Sequence, residues 1–346
     1  MPAPLPRLIE TESQLDDLLT LPRPELIDFI RTISSPLLVL GAGGKMGPTL
    51  AVLARRAAVA AGMDLEVIAV SRFSDPAARH WLEEREVRTL SADLLERKQV
   101  ENLPESANVI YLVGFKFGTA EVPFLTWAMN TLVPANVAER YASARIVALS
   151  TGNVYGLAAV ARGGSVESDP LAPLGEYPNA AVARERLFQY FAQKNRSALV
   201  LLRLNYAVEL RYGVLVDIAT KIWNRIPIDL SMGYLNCIWQ GDANEFILRS
   251  LDLAAVEAPV FNLTGPEILS VRTLAGALAE RLGRAPEFEG AEADTALLNN
   301  PKRLCQWLGE PPTPLDRILD WTAHWIKSGR RLLNKPTHFE VRDGKY

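Results

Sequence analysis

The sequence predicts an α/β protein: a doubly wound parallel sheet followed by a smaller, mixed C-terminal domain. Three observations lead there. Short, wholly apolar segments such as residues 37–40 (LLVL) alternate with helical stretches from Pro36 to Asn205. That is the pattern of parallel strands covered on both faces. A glycine cluster, Gly41-Ala-Gly43-Gly44-Lys45-Met46-Gly47, falls where the first of these strands meets the first helix. After Asn205 the rhythm breaks, interrupted by Pro227, Gly233 and Gly241.

Residues 1–35 form an N-terminal extension. Residues 15–19 suit a helical turn or more. Pro24 opens a second helix, with Leu26, Ile27, Phe29 and Ile30 at helical spacing. Both helices are expected to pack on the main body. Strands follow at 37–40, 65–70, 87–90, 108–113, 145–150 and 198–203, mostly apolar and short. Helices are expected at 46–61, 80–85, 123–142 and 184–194. The second half offers a helix at 214–224, a strand at 260–263, helices at 271–282 and 315–326, and a polar tail at 334–346. The implied domains are the extension 1–35, a nucleotide-binding domain 36–205 joined by 236–263, and residues 206–346 as mainly substrate-binding domain and tail.

Composition narrows the function classes. The chain has 346 residues, enough for two domains at roughly 100–200 residues each. Apolar residues make up 49% and charged residues 22%, an ordinary globular balance. With 37 Lys plus Arg against 40 Asp plus Glu, the net charge is −3. No general attraction to nucleic acid or an anionic membrane follows, and a local basic site for one phosphate stays open. Cys237 and Cys305 lack CxxC spacing, and His80, His324 and His338 lack metal-ligand spacing. Neither a disulfide framework nor a metal site is expected. No basic segment precedes an apolar run at the N-terminus, and no apolar run approaches about 20 residues. The expected location is therefore cytoplasmic.

The glycine cluster carries the first chemistry. A turn after a strand and before a helix suits a dinucleotide. Gly41 allows a sharp turn, Gly44 close approach of the pyrophosphate, and Gly47 close helix–strand packing. The helix N-terminus then offers free N–H groups to phosphate. The spacing is GxxGxxG (Gly41, Gly44, Gly47), with Met46 at the last position of strict GxGxxG. It resembles the extended short-chain dehydrogenase/reductase family, the NAD-dependent epimerases and dehydratases. The resemblance runs over about residues 36–325 and implies a Rossmann sheet.

Strand two ends in Ser71-Arg72, where NAD-preferring members carry an acidic residue for the ribose 2′-hydroxyl. A hydroxyl and a cation suit a 2′-phosphate, so NADP(H) is favoured and NAD(H) remains open. A solvated Arg72 is the alternative. Lys45 adds charge near the phosphates. Asp93-Leu94 resembles the family's Asp-hydrophobic pair beside adenine, although Asp93 also suits a helix cap. Gly114-Phe115-Lys116 resembles the segment lining pyrophosphate and nicotinamide ribose, and Asn130 an asparagine of the following helix.

Ser150-Thr151-Gly152-Asn153-Val154-Tyr155-Gly156 resembles the family's Ser-Ser/Thr-x-x-Val-Tyr-Gly stretch. By that likeness Thr151 bonds the substrate oxygen, and Asn153 and Tyr155 floor the site. The family then uses Tyr-x-x-x-Lys. Tyr177 occupies the tyrosine position, and Ala181 stands where the lysine belongs. An ordinary tyrosine has a pKa near 10, so about 0.1% is phenolate at pH 7. Unaided, it is a poor base but a competent acid. Three readings stay open: Lys116, or Arg184 one turn past Ala181, supplies the positive charge; the enzyme works mainly as a reductase; or catalysis is lost. Tyr177 as an ordinary half-buried helix residue is the plain alternative.

Further likenesses are Asn205 in an LRxxNxYG-like segment, which implies substrate binding, residues 239–243 and 261–266. Together they imply an NAD(P)-dependent oxidoreductase or epimerase/dehydratase-like enzyme. Its substrate would be a sugar, sugar acid or sugar nucleotide, handled by hydride transfer with Tyr177 as acid/base and Thr151 and Lys116 beside it. The alternative is a catalytically degenerate NADP(H)-binding sensor. The family's dimer helices correspond to residues 127–141 and 177–193. The second of these carries Ala180, Ala181, Val182, Leu187, Phe188 and Phe191, surplus apolar surface that implies a homodimer.

Overall fold

The computed structural model describes residues 5–114, 121–335 and 337–344. Its centre is a seven-stranded parallel sheet: β1 Leu37–Leu40, β2 Val67–Ser71, β3 Arg88–Ser91, β4 Asn108–Tyr111, β5 Arg145–Thr151, β6 Leu199–Leu204 and β7 Val260–Leu263. Across the sheet the order is β7-β6-β5-β4-β1-β2-β3. The expected doubly wound sheet is thus present. The order reverses between β1 and β4, which opens a crevice beyond their carboxyl ends.

The apolar runs explain the layering. Along a strand successive side chains face opposite ways. Leu37, Val39, Val67, Ala69, Ile110, Val147, Val200 and Leu202 enter one buried layer. Leu38, Leu40, Ile68, Val70, Val109, Tyr111, Ile146 and Ala148 enter the other. The first layer is covered by α2 (Pro24–Ile30), α3 (Gly47–Ala61) and α9 (Gln240–Arg249); α4 (Pro76–Glu83) packs on α3. The second is covered by α6 (Pro123–Arg140) and α7 (Glu176–Asn195), with α5 (Arg97–Glu101) against α6.

The second lobe gathers α8 (Val214–Asn224), α10 (Val271–Leu282) and α12 (Leu315–Lys327) around Trp321 and Trp325, both fully buried. α11 (Lys302–Leu308) returns to lie against β7. Four two-residue ladders stitch the lobes' loops together; one pairs Thr295–Ala296 with Ala158–Ala159.

Three departures from the sequence reading stand out. The helix expected at 80–85 runs from Pro76 to Glu83, because Asp75 caps it by accepting from the Ala77 N–H. The helix read from periodicity at 184–194 starts eight residues earlier at Glu176, which puts Tyr177 on the helix as the family likeness implied. α9 was not expected as a helix at all: its buried polar residues Gln240, Asp242, Asn244 and Glu245 hide its periodicity.

The N-terminal extension does more than lie on the surface. In α1 (Glu12–Leu19), Leu15 and Leu19 sit with Ile9 in the second lobe's core. In α2, Leu26 and Ile30 sit in the sheet's core. Between them Arg23 reaches Asp242 at 2.7 Å and Glu245 at 2.9 Å, both buried on α9. The extension therefore straps the two lobes together.

Candidate active site

The carboxyl ends of β1, β4, β5 and β6 converge on a cavity of about 240 Å3 lined by Gly41, Gly44, Tyr177, Thr151, Arg184 and Tyr212, among others. A second cavity of about 230 Å3 lies beyond β2 and is lined by Ser71, Arg72, Asp75 and Asp93. Gly41, Gly44, Leu112 and Gly114 belong to both. The two cavities are therefore halves of one cleft, with the glycine turn at its waist.

The turn is built by close approaches. Gly41 has φ +83°, and a Cβ there would sit 2.9 Å from the Val113 nitrogen. A Cβ on Gly47 would lie 2.5 Å from Ala42 Cα, so only glycine lets α3 start this close to β1. The Gly44 N–H is turned back on the Gly41 carbonyl at 3.0 Å. Met46 forms the N-cap of α3 without a side-chain bond. The helix N-terminus is left open toward the cleft.

Lys45 lines the larger cavity from the other side. Its ammonium donates to the Ala207 carbonyl at 3.3 Å and lies 3.1 Å from the Tyr212 ring centroid. Ser71 and Arg72 line the smaller cavity; Arg72 is exposed, and no carboxylate pairs with it among the described residues. Asp93 and Leu94 line the same half, and the Asp93 carboxylate also accepts from the Leu95 N–H at 3.0 Å. That bond closes a local turn; the N-cap of α5 is Glu96, so the helix-cap reading of Asp93 does not hold.

At the other end stand Tyr177, Thr151, Asn153 and Asn205. Tyr177 is 7% exposed, on the second residue of α7. Thr151 ends β5, and its hydroxyl accepts from the Asn153 N–H at 3.3 Å. The Asn153 amide nitrogen is buried with no hydrogen-bond partner among the described residues. Asn205 spends its amide nitrogen on Asn236 Oδ1 at 2.9 Å and the Leu297 carbonyl at 3.1 Å. Its carbonyl oxygen is what remains for a ligand. Asn130 is fully buried within α6, donates to the Thr126 carbonyl, and lines neither cavity. Lys116 and Phe115 lie outside the described residues.

Tyr155 points beneath the cavity. Its hydroxyl accepts from Arg203 at 2.6 Å and donates to Asn262 Oδ1 at 2.9 Å. Burial pushes its pKa up to about 12 despite Arg203 beside it. Arg203 in turn pairs with Glu185 through two bonds, at 2.7 and 3.0 Å, and Ser150 donates to the same carboxylate. This buried network fixes the end of β5 against α7 and β6.

Ala181 is fully buried among Val154, Tyr155, Leu171 and Val182. Three lining residues were not singled out from sequence. Tyr206 lay inside the quoted Asn205 segment. The Tyr212-Gly213 pair just before α8 was the available signal for Tyr212. Thr337 comes from the tail, which folds back so that its N–H and hydroxyl both donate to Asp217; no local pattern announces that.

Residues 37–208, the span that holds most of this cleft, match the model of the NAD dependent epimerase/dehydratase family. They are a domain of that family. No curated protein matches the sequence. Solved structures do match in fold. The UDP-glucose 4-epimerase of Thermotoga maritima superposes with a TM-score of 0.67 at 16% identity, covering 85% of this chain and 99% of the epimerase. The UDP-glucose 4-epimerase of Thermus thermophilus, solved with NAD, gives 0.66 at 20%, covering 84% and 98%. The dTDP-glucose 4,6-dehydratase of Streptomyces venezuelae, solved with NAD, gives 0.70 at 17%, covering 84% and 97%. At these identities the likeness speaks for the fold. The epimerase/dehydratase domain thus carries its glycine turn in the place its sheet order requires. Among the described residues no helix is long and apolar enough to cross a membrane.

Proposed function

We propose that this chain is an NADP(H)-using oxidoreductase or epimerase/dehydratase-type enzyme acting on a sugar, sugar acid or sugar nucleotide. One observation carries the reading: the cleft is bipartite, with a glycine turn at its waist, a hydroxyl and an arginine at one end, and Tyr177 with Thr151 at the other. A dinucleotide laid across the waist would put its adenosine end beside Ser71, Arg72 and Asp93. Its nicotinamide would lie in the half that holds Tyr177. The cradle fits such a group, because a Cβ on Gly44 would already crowd the Gly41 carbonyl at 3.2 Å. The bound cofactor supplies or accepts hydride.

The chain's own residues handle the proton and the substrate oxygen. Thr151 donates to that oxygen, and Tyr177 gives it a proton as hydride arrives, or removes one in reverse. A neutral tyrosine serves the reductive direction without help. Tyr206, Tyr212 and Asn205 offer the hydroxyl and amide groups a sugar needs. Sugar-nucleotide names among the structural relatives agree with this substrate class.

The exposed Arg72 supports the 2′-phosphate assignment. Arg72→Ala is expected to weaken NADP(H) about tenfold, the loss of one charge-assisted contact, while NAD(H) affinity stays within twofold. Calorimetric titration of both cofactors measures it; an unchanged NADP(H)/NAD(H) ratio refutes the assignment. Turnover of a panel of aldoses, ketoses, sugar acids and sugar nucleotides tests the enzyme reading itself.

The apolar replacement at Ala181 favours a second reading, a sensor that binds NADP(H) without turning substrate over. A panel that yields no turnover, while NADP(H) binds and alters a partner interaction, would put this reading first.

A homodimer through α6 and α7 completes the proposal. The residues expected to supply the surplus do not: Ala180, Ala181, Phe188 and Phe191 are buried within the chain, where α7 packs on the sheet and α6, and Val182 and Leu187 are half-buried. Other residues of the same helices do: Phe124 is 76% exposed, Leu132 56% and Tyr190 57%, apolar surface that a lone chain leaves in water. Light scattering should report twice the chain mass at micromolar concentration. Phe124→Glu combined with Leu132→Glu should shift it to monomer. A monomeric wild type would overturn the dimer.

A further inference from the structure

We propose that Arg184 is the cation that holds the middle of the dinucleotide, on the nicotinamide side of its pyrophosphate, and does so from one helical turn beyond the vacant lysine position. The assignment rests on the cofactor reading above. Tyr177, Ala181 and Arg184 stand at i, i+4 and i+7, one face of α7. The middle position is closed, since apolar neighbours fill the space around Ala181. Arg184 is the next residue on that face able to bring charge into the cleft, and it lines the same cavity as Tyr177, Gly41 and Gly44.

Its placement is specific. Arg184 Nη1 donates to the Val113 carbonyl at 2.8 Å, just past β4. The same nitrogen would lie 3.3 Å from a Cβ on Gly114, and Gly41 is pressed against the Val113 backbone from the β1 side. The guanidinium therefore sits where β1 and β4 part, at the point of strand-order reversal. That is the crevice in which such sheets hold the phosphate-rich part of a ligand.

Its electrostatics ask for a ligand. Arg184 is 3% exposed, its Nε is buried with no protein partner, and no carboxylate pairs with it among the described residues. The adjacent Glu185 does not serve it, because that carboxylate is taken by Arg203 and Ser150. A buried cation without a counter-charge is unfavourable for the fold alone, and an anionic or hydroxyl-rich ligand relieves it. Arg203, equally buried but fully paired, shows what a structural arginine looks like in this lobe. A guanidinium also suits phosphate and vicinal hydroxyl oxygens, which accept two N–H groups at once.

The test is calorimetric titration of the full chain with NADPH and with adenosine 2′-monophosphate, a fragment without pyrophosphate or nicotinamide ribose. Arg184→Met should weaken NADPH by about 10–100-fold, the span of one or two charge-assisted bonds. Arg184→Lys should recover part of that. The fragment should bind both variants within twofold of wild type. The ligand-free melting temperature should hold or rise, because an unpaired charge leaves the interior. Equal NADPH affinity in wild type and Arg184→Met overturns the assignment while leaving the cofactor reading standing. So does loss of fragment and NADPH together with a lowered melting temperature, which marks a structural role. A wild type that binds no dinucleotide overturns the cofactor reading, and this assignment with it.

Discussion

Replacing Tyr177 with phenylalanine is expected to lower kcat by about 10²–10⁴, the range for a lost general acid. NADPH affinity should stay within about threefold. Tyr177 lies at the start of α7 in a cavity wall rather than in the core, so removing one hydroxyl leaves the helix and its packing intact. Initial rates on whichever substrate the panel reveals give kcat, and calorimetry gives the binding constant. Full activity in Tyr177→Phe would end the catalytic assignment. If kcat and NADPH affinity fall together, the tyrosine holds the cofactor instead. Thr151 should contribute less, because its hydroxyl orients the oxygen without transferring a proton.

Arg203→Met should be the most destabilising single change of those considered. The Arg203–Glu185 pair is 4% and 0% exposed, and the guanidinium also donates to Tyr155. Removing one partner strands a buried carboxylate, at a cost of about 3–5 kcal/mol. The double variant Arg203→Met with Glu185→Leu should regain much of that, because no charge is then left behind. Urea unfolding of the four proteins of this cycle measures the coupling. A single variant within about 1 kcal/mol of wild type would show that water reaches the pair. Cofactor binding should weaken in the single variant, since Ser150 and Tyr155 lose the network that anchors the end of β5.

The strands were legible because their chemistry is local. Residues 37–40 carry an unbroken apolar run and 260–263 one interrupted only by Asn262, and helices 214–224 and 271–282 start and stop at the residues expected. A strand buried on both faces has no polar side to confuse the pattern. The glycine turn was legible for the same reason: its spacing records constraints between near neighbours. α9 was not, because four of its buried residues are polar and take hydrogen-bond partners far along the chain. Arg23, some 219 positions away from Asp242, is one; Thr49, which accepts from Gln240 and Asn244, is another.

For this protein, then, the sequence by itself determined the alternating elements and the nucleotide-type turn, which follow from periodicity and short spacing that side chains on one element encode directly. Tyr177 as the motif tyrosine and Ala181 at the lysine position were implied by the family resemblance alone. The tertiary structure alone decided that residues 5–30 strap two cores together, that Thr337 of the tail reaches the cleft, and that Tyr155 turns into a buried network. It alone separated the two neighbouring residues of α7, giving Glu185 a complete set of partners and leaving Arg184 facing the cavity with an unpaired Nε. Whether a buried charge is matched depends on groups that folding brings from distant parts of the chain, and no local spacing records that.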